Sequence, residues 1–485
     1  MHDKKVYMAV CENASYSKKE MNPSENYPEY IFGDSNISKE KNLVYECVRN
    51  CLFLRGYDKE NFGKKEWNPL GDIIKPGQNV VIKPNLVNDR NSNKNYGIEE
   101  GLECLITNVT VTRAVCDYCL VALKGSGSVT ICDAPIQDCK MDELLINSGY
   151  DRLIQFYEQK KCNVVFEDLR FEQRVTNRWA VKKETRILGA EHKYVVMNDS
   201  TAFGDLNGIY EYNVLNYDKE LTKRYHQGGK HIYSISKSIL NSDVIINLCK
   251  PKTHRYAGIT AAMKNCVGMV AEKETLPHRR IGEVSEGGDS YYGKSKIKKK
   301  IDYILDRQAK AENDEKIFLA MLYRFIYGGL FYLSRLKGED SSLKGCWHGN
   351  DTIWRTILDL NYVIRYADKD GVLCESEQRR VLNIADMIIA GQHNGPLSPE
   401  SKKVGAIICS ENPAGFDLAV CRVMGFDALK MPLYRAILEG RSWIKYEESE
   451  MISDMTDYRG KISEVRFPDK WRFVPNDAWR GHIEI

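Results

Sequence analysis

The stretch IINLCKPKTHRYAGITAAMKNCVGMVAEKETLPH, residues 245–278, concentrates the side chains best suited to chemistry. Lys250, Lys252 and His254 follow an apolar run, Gly258 and Thr260 are expected to open a helix carrying Lys264 and Asn265, and His278 closes the stretch. In doubly wound sheets ligands bind beyond the carboxyl ends of strands, where free N–H groups and the positive dipole end of a helix favour an anion. The pattern therefore points to an anion site. Lys264 has Ala261, Ala262, Met263 and Val267 for neighbours, and taking its ammonium out of water lowers its pKa toward use as a base or nucleophile. A helix lysine is more often a solvated charge and a lone histidine a satisfied polar group, so the environment of Lys264 is what separates catalysis from simple binding.

Two further clusters have the same ambiguity. IKPNLV, residues 82–87, sets Lys83 at the end of an apolar run with Asn85 beside it, a costly place for a charge unless it faces a ligand or a carboxylate. AGQHNGP brackets Gln392, His393 and Asn394 between Gly391 and Gly395, which suits either ligand contact or a plain turn. The 15 cysteines include one Cys-x-x-Cys, Cys116 and Cys119, and the pair Cys47 and Cys51. Four thiolates must converge to hold an iron–sulfur cluster or zinc and usually come as close pairs. No second Cys-x-x-Cys follows, so buried core thiols are expected and an iron–sulfur cluster is not. A divalent metal held by His254 and His278 is kept as an alternative.

The elements that must position these groups are legible as short apolar runs. KVYMAV, NVVIKP, SVTICD, NVVFEDL, KYVVMN and DVIINL read as strands with helical patterns between several of them, which makes a mostly parallel α/β sheet. At 485 residues two or three domains are expected. The boundaries read as follows: a first α/β lobe in 1–169 and 240–282, an irregular loop and hairpin insertion in 170–239, a helical insertion in 283–345, a second α/β lobe in 346–440, and a tail in 441–485 packing on the core. Residues 295–336 read as two helices, the second apolar over Ile317–Ser334 except for Arg324. About 20 apolar residues are needed to span a bilayer. That helix is expected to pack on its own protein, with a peripheral membrane contact as the alternative.

A composition of 43% hydrophobic and 28% charged residues with a net charge of +3 excludes a dominant nucleic-acid role. The start, MHDKKVYMAVCENASY, lacks the apolar run of a signal peptide. A cytoplasmic protein with free thiols is expected, membrane-associated if the apolar helix meets lipid.

VVIKPNLV, the Thr110 to Val121 helix, the DAP of ICDAP, KTH and MKN, NGPLSPESKKVG and NPAGFDLAVCRVMGFD stand in an order and spacing similar to the domain of unknown function 362 family. EKETLPH, EGGDSYY and WHGNDTIWRTILDLN resemble the branch of that family found among bacterial surface-polysaccharide genes. Many members carry ferredoxin-type cysteine runs, which this sequence lacks. Where the family has Glu and Gly in its third element, this sequence has Gln392 and His393. The order His254, Ala257, Gly258, Lys264, His278 is also distantly similar to lactate racemase, whose nickel-pincer cofactor is tethered to a lysine; the histidine that precedes that helix there has no counterpart here, and the same cofactor is not expected.

The resemblance implies an enzyme acting on a small anionic or polyhydroxylated, sugar-derived substrate in a cleft between lobes. Lys264, His254 and His278 would be catalytic, and Lys83, Asn85, Lys252, Thr260, Asn265, Asn394 and Asp417 would bind substrate. Isomerase, lyase and oxidoreductase chemistry are not distinguished. The alternative is a non-catalytic metabolite-binding or assembly protein for surface-polysaccharide biosynthesis.

Overall fold

The structure is a computed structural model that describes residues 4–17, 20–97, 100–206, 208–215, 217–340 and 342–485. Its frame is an eleven-stranded sheet. In chain order the strands are β1 (Lys5–Val10), β2 (Asn79–Pro84), β3 (Ser128–Asp133), β4 (Val164–Asp168), β5 (Val244–Cys249), β6 (Lys252–His254), β7 (Gly258–Thr260), β8 (Arg380–Asn394), β9 (Ser398–Ser410), β10 (Glu450–Ser453) and β11 (Gly460–Lys461). The helices that matter below are α1 (Leu43–Arg55), α2 (Val109–Leu123), α3 (Ala262–Asn265), α4 (Lys296–Asn313), α5 (Ile317–Leu336), α6 (Ile353–Tyr366) and α7 (Pro413–Met424).

Across the sheet the order is β11, β10, β1, β9, β8, β5, β2, β3, β4, with β6 and β7 attached beside β8. From β8 through β5, β2 and β3 to β4 every neighbour is parallel. The longest antiparallel element is the β8–β9 hairpin, whose second strand pairs in turn with β1. Strands expected in two lobes thus share one continuous sheet. The reason is β8, which pairs with β5 residue by residue from Val244↔Arg380 to Cys249↔Ala385, while β5 pairs on its other edge with β2, so strands expected in different lobes are joined. KYVVMN departs from its expectation differently: His192–Val196 pairs with Lys230–Ser236 in a separate three-stranded sheet.

Each strand feeds two cores because successive side chains point to opposite faces. Tyr7 and Ala9 of β1 join Val44, Cys47 and Cys51 of α1 and Cys116 and Cys119 of α2 on one face. Val6 and Met8 join α7 and the tail residues Trp471, Phe473, Trp479 and Ile483 on the other. All cysteines but Cys11, Cys162, Cys346 and Cys374 are buried, where they behave as small apolar side chains.

The chain leaves β2 for β3 and β4 on one side, whereas β5 lies on the other side of β2. That reversal is a topological switch point, where the loops at the strand carboxyl ends diverge and leave a crevice. Lys83 ends β2, Asp133 ends β3, and Lys252 and His254 follow β5. The fold brings these residues to one edge.

Candidate functional site

A cavity of about 130 Å³ opens at that edge, room for a ligand of roughly benzene size. Lys83, Asn85, Lys252, Thr260, Lys264, Asn265, His254 and His278 all line it, so eight of the expected site residues are brought together. Asp133, Arg255, Tyr256 and Lys273 line it as well, and the reading of the sequence had not assigned them.

The floor is a closed polar network. Lys83 Nζ lies 2.8 Å from Asp133 Oδ1 and donates to Asn265 Oδ1 at 3.0 Å and Pro84 O at 2.9 Å. Asn85 Nδ2 donates to the same Asn265 oxygen at 2.8 Å, while Asn85 Oδ1 accepts from Lys252 Nζ at 2.6 Å. Asn265 Nδ2 reaches back to Lys83 O and Asn247 Oδ1. A buried charge is tolerable when paired and hydrogen-bonded, and leaving one member unpaired is costly. Lys83, Asn85 and Asn265 are therefore held in fixed positions. Burial, followed by the neighbouring Lys250, pushes the Lys252 ammonium well below the usual lysine range.

Lys264 is 9% exposed and has no hydrogen-bond or ion-pair partner among the described residues. Burial first, then the charges of Lys83 and Arg255, lower its pKa from 10.5 to about 7. The Arg255 guanidinium also lacks a carboxylate partner among the described residues, and its Nε is buried without a hydrogen bond. Lys273 is lowered to about 7 as well, chiefly by burial, but is tied to Ala134 O at 2.8 Å and Val270 O at 3.2 Å.

The two histidines hold opposite tautomers. His254 Nδ1 accepts the backbone N–H groups of Tyr256 at 3.1 Å and Ala257 at 3.3 Å, so its proton sits on Nε2. His278 Nδ1 lies 2.6 Å from Leu276 O; a carbonyl only accepts, so Nδ1 carries the proton and Nε2 presents a lone pair. Burial and then the Lys264 charge lower both pKa values, His278 to about 3 and His254 well below 6.5, which keeps both rings neutral at pH 7. Tyr256 stands between them, its ring centroid 6.0 Å from His254 and 5.4 Å from His278.

This arrangement bears on metal binding. Metal ligation needs an imidazole lone pair, and His254 would have to give up both backbone N–H contacts to offer one at Nε2. Among the described residues no group of three or more His, Cys, Asp or Glu is placed to hold a metal ion. In this geometry His278 offers a lone pair to the cavity and His254 does not.

Local structure departs from expectation at Gly258 and Thr260. They form β7, antiparallel to β6 with Lys252 opposite Thr260, and Gly258 has φ 80° with Met431 Sδ 2.6 Å from where a Cβ would stand. The helix that carries Lys264 is one turn, α3, continued as the 3-10 turn Cys266–Met269. Asp417, expected to bind substrate, lies outside the cavity: on α7 it accepts from Ala262 N at 2.8 Å and Met263 N at 3.3 Å and from Tyr434 OH at 3.0 Å. It fixes the start of α3 and so the aim of Lys264. Asn394 also lies outside, donating to Asp477 in the tail at 3.1 Å. Gly391 and Gly395 serve close packing, since a Cβ would stand 2.8 Å from Lys252 Cβ and 2.0 Å from Thr253 O respectively.

Arg255 was visible next to His254 in KTHRYAG, but lone arginines usually mark solvated surface. Lys273 stood in a Glu-Lys-Glu run, which reads as a solvated face; the backbone there turns Lys273 inward while Glu272 accepts from Tyr194 and Tyr225 at 2.7 Å outside the cavity.

No curated protein matches the chain. The family model described as Domain of unknown function (DUF362) matches residues 202–422, a stretch that contains Lys252, His254, Arg255, Lys264, Asn265, Lys273 and His278 and excludes Lys83, Asn85 and Asp133. That segment, the one that carries Lys264 and both histidines, is where the chain is similar to the domain of unknown function 362 family.

Proposed function

We propose that the protein is an enzyme that performs lysine–histidine proton-transfer chemistry on a small anionic substrate. The observation that carries this reading is Lys264: buried, unpaired, half-deprotonated near pH 7 and in one cavity with both histidines. A group whose pKa lies near the working pH is the best compromise between being in the right form and being reactive in it. His278 Nε2 supplies an acceptor, His254 Nε2–H a donor, and Lys264 a base or an amine able to condense with a carbonyl. Arg255 and the polar floor around Lys83 and Lys252 favour a carboxylate or phosphate on the substrate, since five basic side chains, Lys83, Lys252, Arg255, Lys264 and Lys273, face one lining carboxylate, Asp133, and an anion would favour their protonated forms. The anionic end of a sugar acid or phosphorylated sugar derivative fits this charge and the polar floor, and a role in surface-polysaccharide synthesis belongs to this proposal rather than to the geometry. Binding alone would also use an amine that pairs with an anion; the placement of Lys264 in one cavity with both histidines is what favours catalysis.

The test uses glyoxylate, a small anionic aldehyde, with cyanoborohydride to trap any imine. One adduct is expected, mapped to Lys264, with a pH midpoint near 7 and absent in Lys264→Arg. Adducts spread over surface lysines, rising only at alkaline pH, would remove the basis for the reading.

A further inference from the structure

Helix α5 is built against the usual rule. A surface helix of a globular protein turns its apolar stripe inward; here only Ala320 and Ser334 are buried in 20 residues. Phe318, Leu322, Phe325, Tyr332 and Leu336, flanked by Leu319, Ile326 and Leu333, are all exposed. The steps of three, four and seven residues along Phe318, Leu322, Phe325, Tyr332 and Leu336 put them on one face, and that face points away from the protein. Phe318 is 89% and Phe325 63% exposed. The glycine pair in its middle has no packing role within the chain, because a Cβ at Gly328 or Gly329 would meet nothing within 4 Å. Trp179 extends the surface, its ring 6.0 Å from that of Phe325. The expectation that this helix packs on its own protein is therefore overturned for the apolar face.

Charge identifies what the face suits. Ile317–Leu336 contains no Asp or Glu, and its two cations, Arg324 and Arg335, are exposed without an ion-pair partner among the described residues. Helix α4 packs alongside, tied by Ser295 Oγ to Glu339 at 2.7 Å and by Lys298 to Asp340 at 2.9 Å. This brings the exposed Lys294, Lys296, Lys299 and Lys300 to the same end as Arg335 and Lys337. Of these six only Lys299 has a carboxylate partner among the described residues, Glu286 at 3.3 Å. A long apolar face without carboxylates, rimmed by aromatic rings and lysines, matches an anionic lipid surface in both its apolar depth and its headgroup charge. By length and composition α5 could also cross a membrane, but its opposite face is engaged: Tyr327 lies under Lys344 Nζ at 4.1 Å.

We propose that the α4–α5 hairpin docks the protein on an anionic lipid surface, α5 lying in the interface plane with its Phe318–Leu336 stripe toward the acyl chains. The hairpin is coupled to the cavity. Asp302 of α4 binds Arg279, the residue after His278, at 2.7 Å. Docking thereby sets the site beside the membrane, where an amphiphilic substrate with an anionic head is presented. The docking itself does not depend on the chemistry proposed above.

Flotation of the full chain with vesicles tests it. Binding is expected to phosphatidylcholine vesicles containing an equal part of phosphatidylglycerol, much less to phosphatidylcholine alone, and to weaken with salt. Phe318→Asp with Phe325→Asp, both at exposed positions, is expected to cost at least tenfold. Lys296→Glu with Lys300→Glu should cost about fivefold or more per site. Circular dichroism serves as the control for folding, and glyoxylate trapping on each variant reports the site separately. Absence of binding to either vesicle overturns the proposal. So does a concentration-dependent dimer, seen in sedimentation, that the Phe318 and Phe325 substitutions dissolve, since the face would then belong to a second copy.

Discussion

At the scale of single residues, the site is a set of solved hydrogen-bond problems with a few deliberate gaps. Lys83, Asn85, Lys252 and Asn265 satisfy one another, whereas the Lys264 amine, the Arg255 guanidinium and the two Nε2 atoms line the cavity without a hydrogen-bond partner among the described residues. Lys264 is the costly gap. Its pKa in the folded chain is about 7 against 10.5, so between these pH values the unfolded chain holds a proton that the folded chain has released. Stability therefore rises with pH through that window, and the cost of burying the charge is fully present below about pH 7. Lys264→Met keeps the length of the side chain and removes the charge. It is expected to raise Tm by several degrees at pH 7, with the gain shrinking toward pH 10, while abolishing glyoxylate trapping. Thermal unfolding at the two pH values measures this; an equal gain at both would mean that Lys264 does not titrate in the folded protein. Lys264, His254 and His278 were legible through their place in one stretch after an apolar run and through the family resemblance, since a helix lysine or a lone histidine by itself reads as an ordinary polar residue. It could not show that Asp417 holds a turn rather than a ligand, because an acid in a helix reads the same in either role.

At the scale of elements, the turn after α3 does most to shape the cavity. Residues Cys266–Met269 pass over the Lys83–Asp133 pair so closely that a Cβ on Gly268 would stand 2.0 Å from Asp133 Oδ1 and 2.5 Å from Lys83 Nζ. Neither partner can yield, since Lys83 and Asp133 are buried and Asp133 Oδ2 also accepts from Leu86 N at 2.5 Å. Gly268→Ala is therefore expected to destabilise the protein by roughly 2–4 kcal/mol in urea unfolding, combining overpacking with a disturbed buried pair. Gly328→Ala, in the middle of α5 with open space around it, is the matched control and is expected to gain about 1 kcal/mol in helix propensity. Equal effects at the two positions would show that the turn is looser than its geometry. The sequence marked MKNCVG as distinctive, yet a glycine required by a charge pair from two other strands carries no local signal. Helix α5 was legible as a helix from its apolar run. Which way that run faces depends on what lies next to it, and that is a tertiary fact.

For the whole molecule, the strands were readable one at a time and their partners were not, because apolar runs report burial while register is set by contacts far apart in the chain. Two α/β stretches separated by insertions look like two lobes. The pairing of β8 with β5, and of β9 with β1, instead ties the last third of the chain to both the middle and the first in one sheet. The cavity inherits this: its wall runs from Lys83 at the end of β2 to Leu397 beyond β8, so it exists only when the sheet is whole. Stability in a sheet closed by such non-local pairings is expected to be shared rather than regional. Hydrogen exchange in moderate urea should then give amides of β2, β5, β8 and β9 a common opening free energy, while exposed α5 exchanges at a lower one. Separate opening of β8 and β9 from β2 and β5 would restore two lobes as independent units, and would place the cavity at a hinge between them instead of on a single rigid edge.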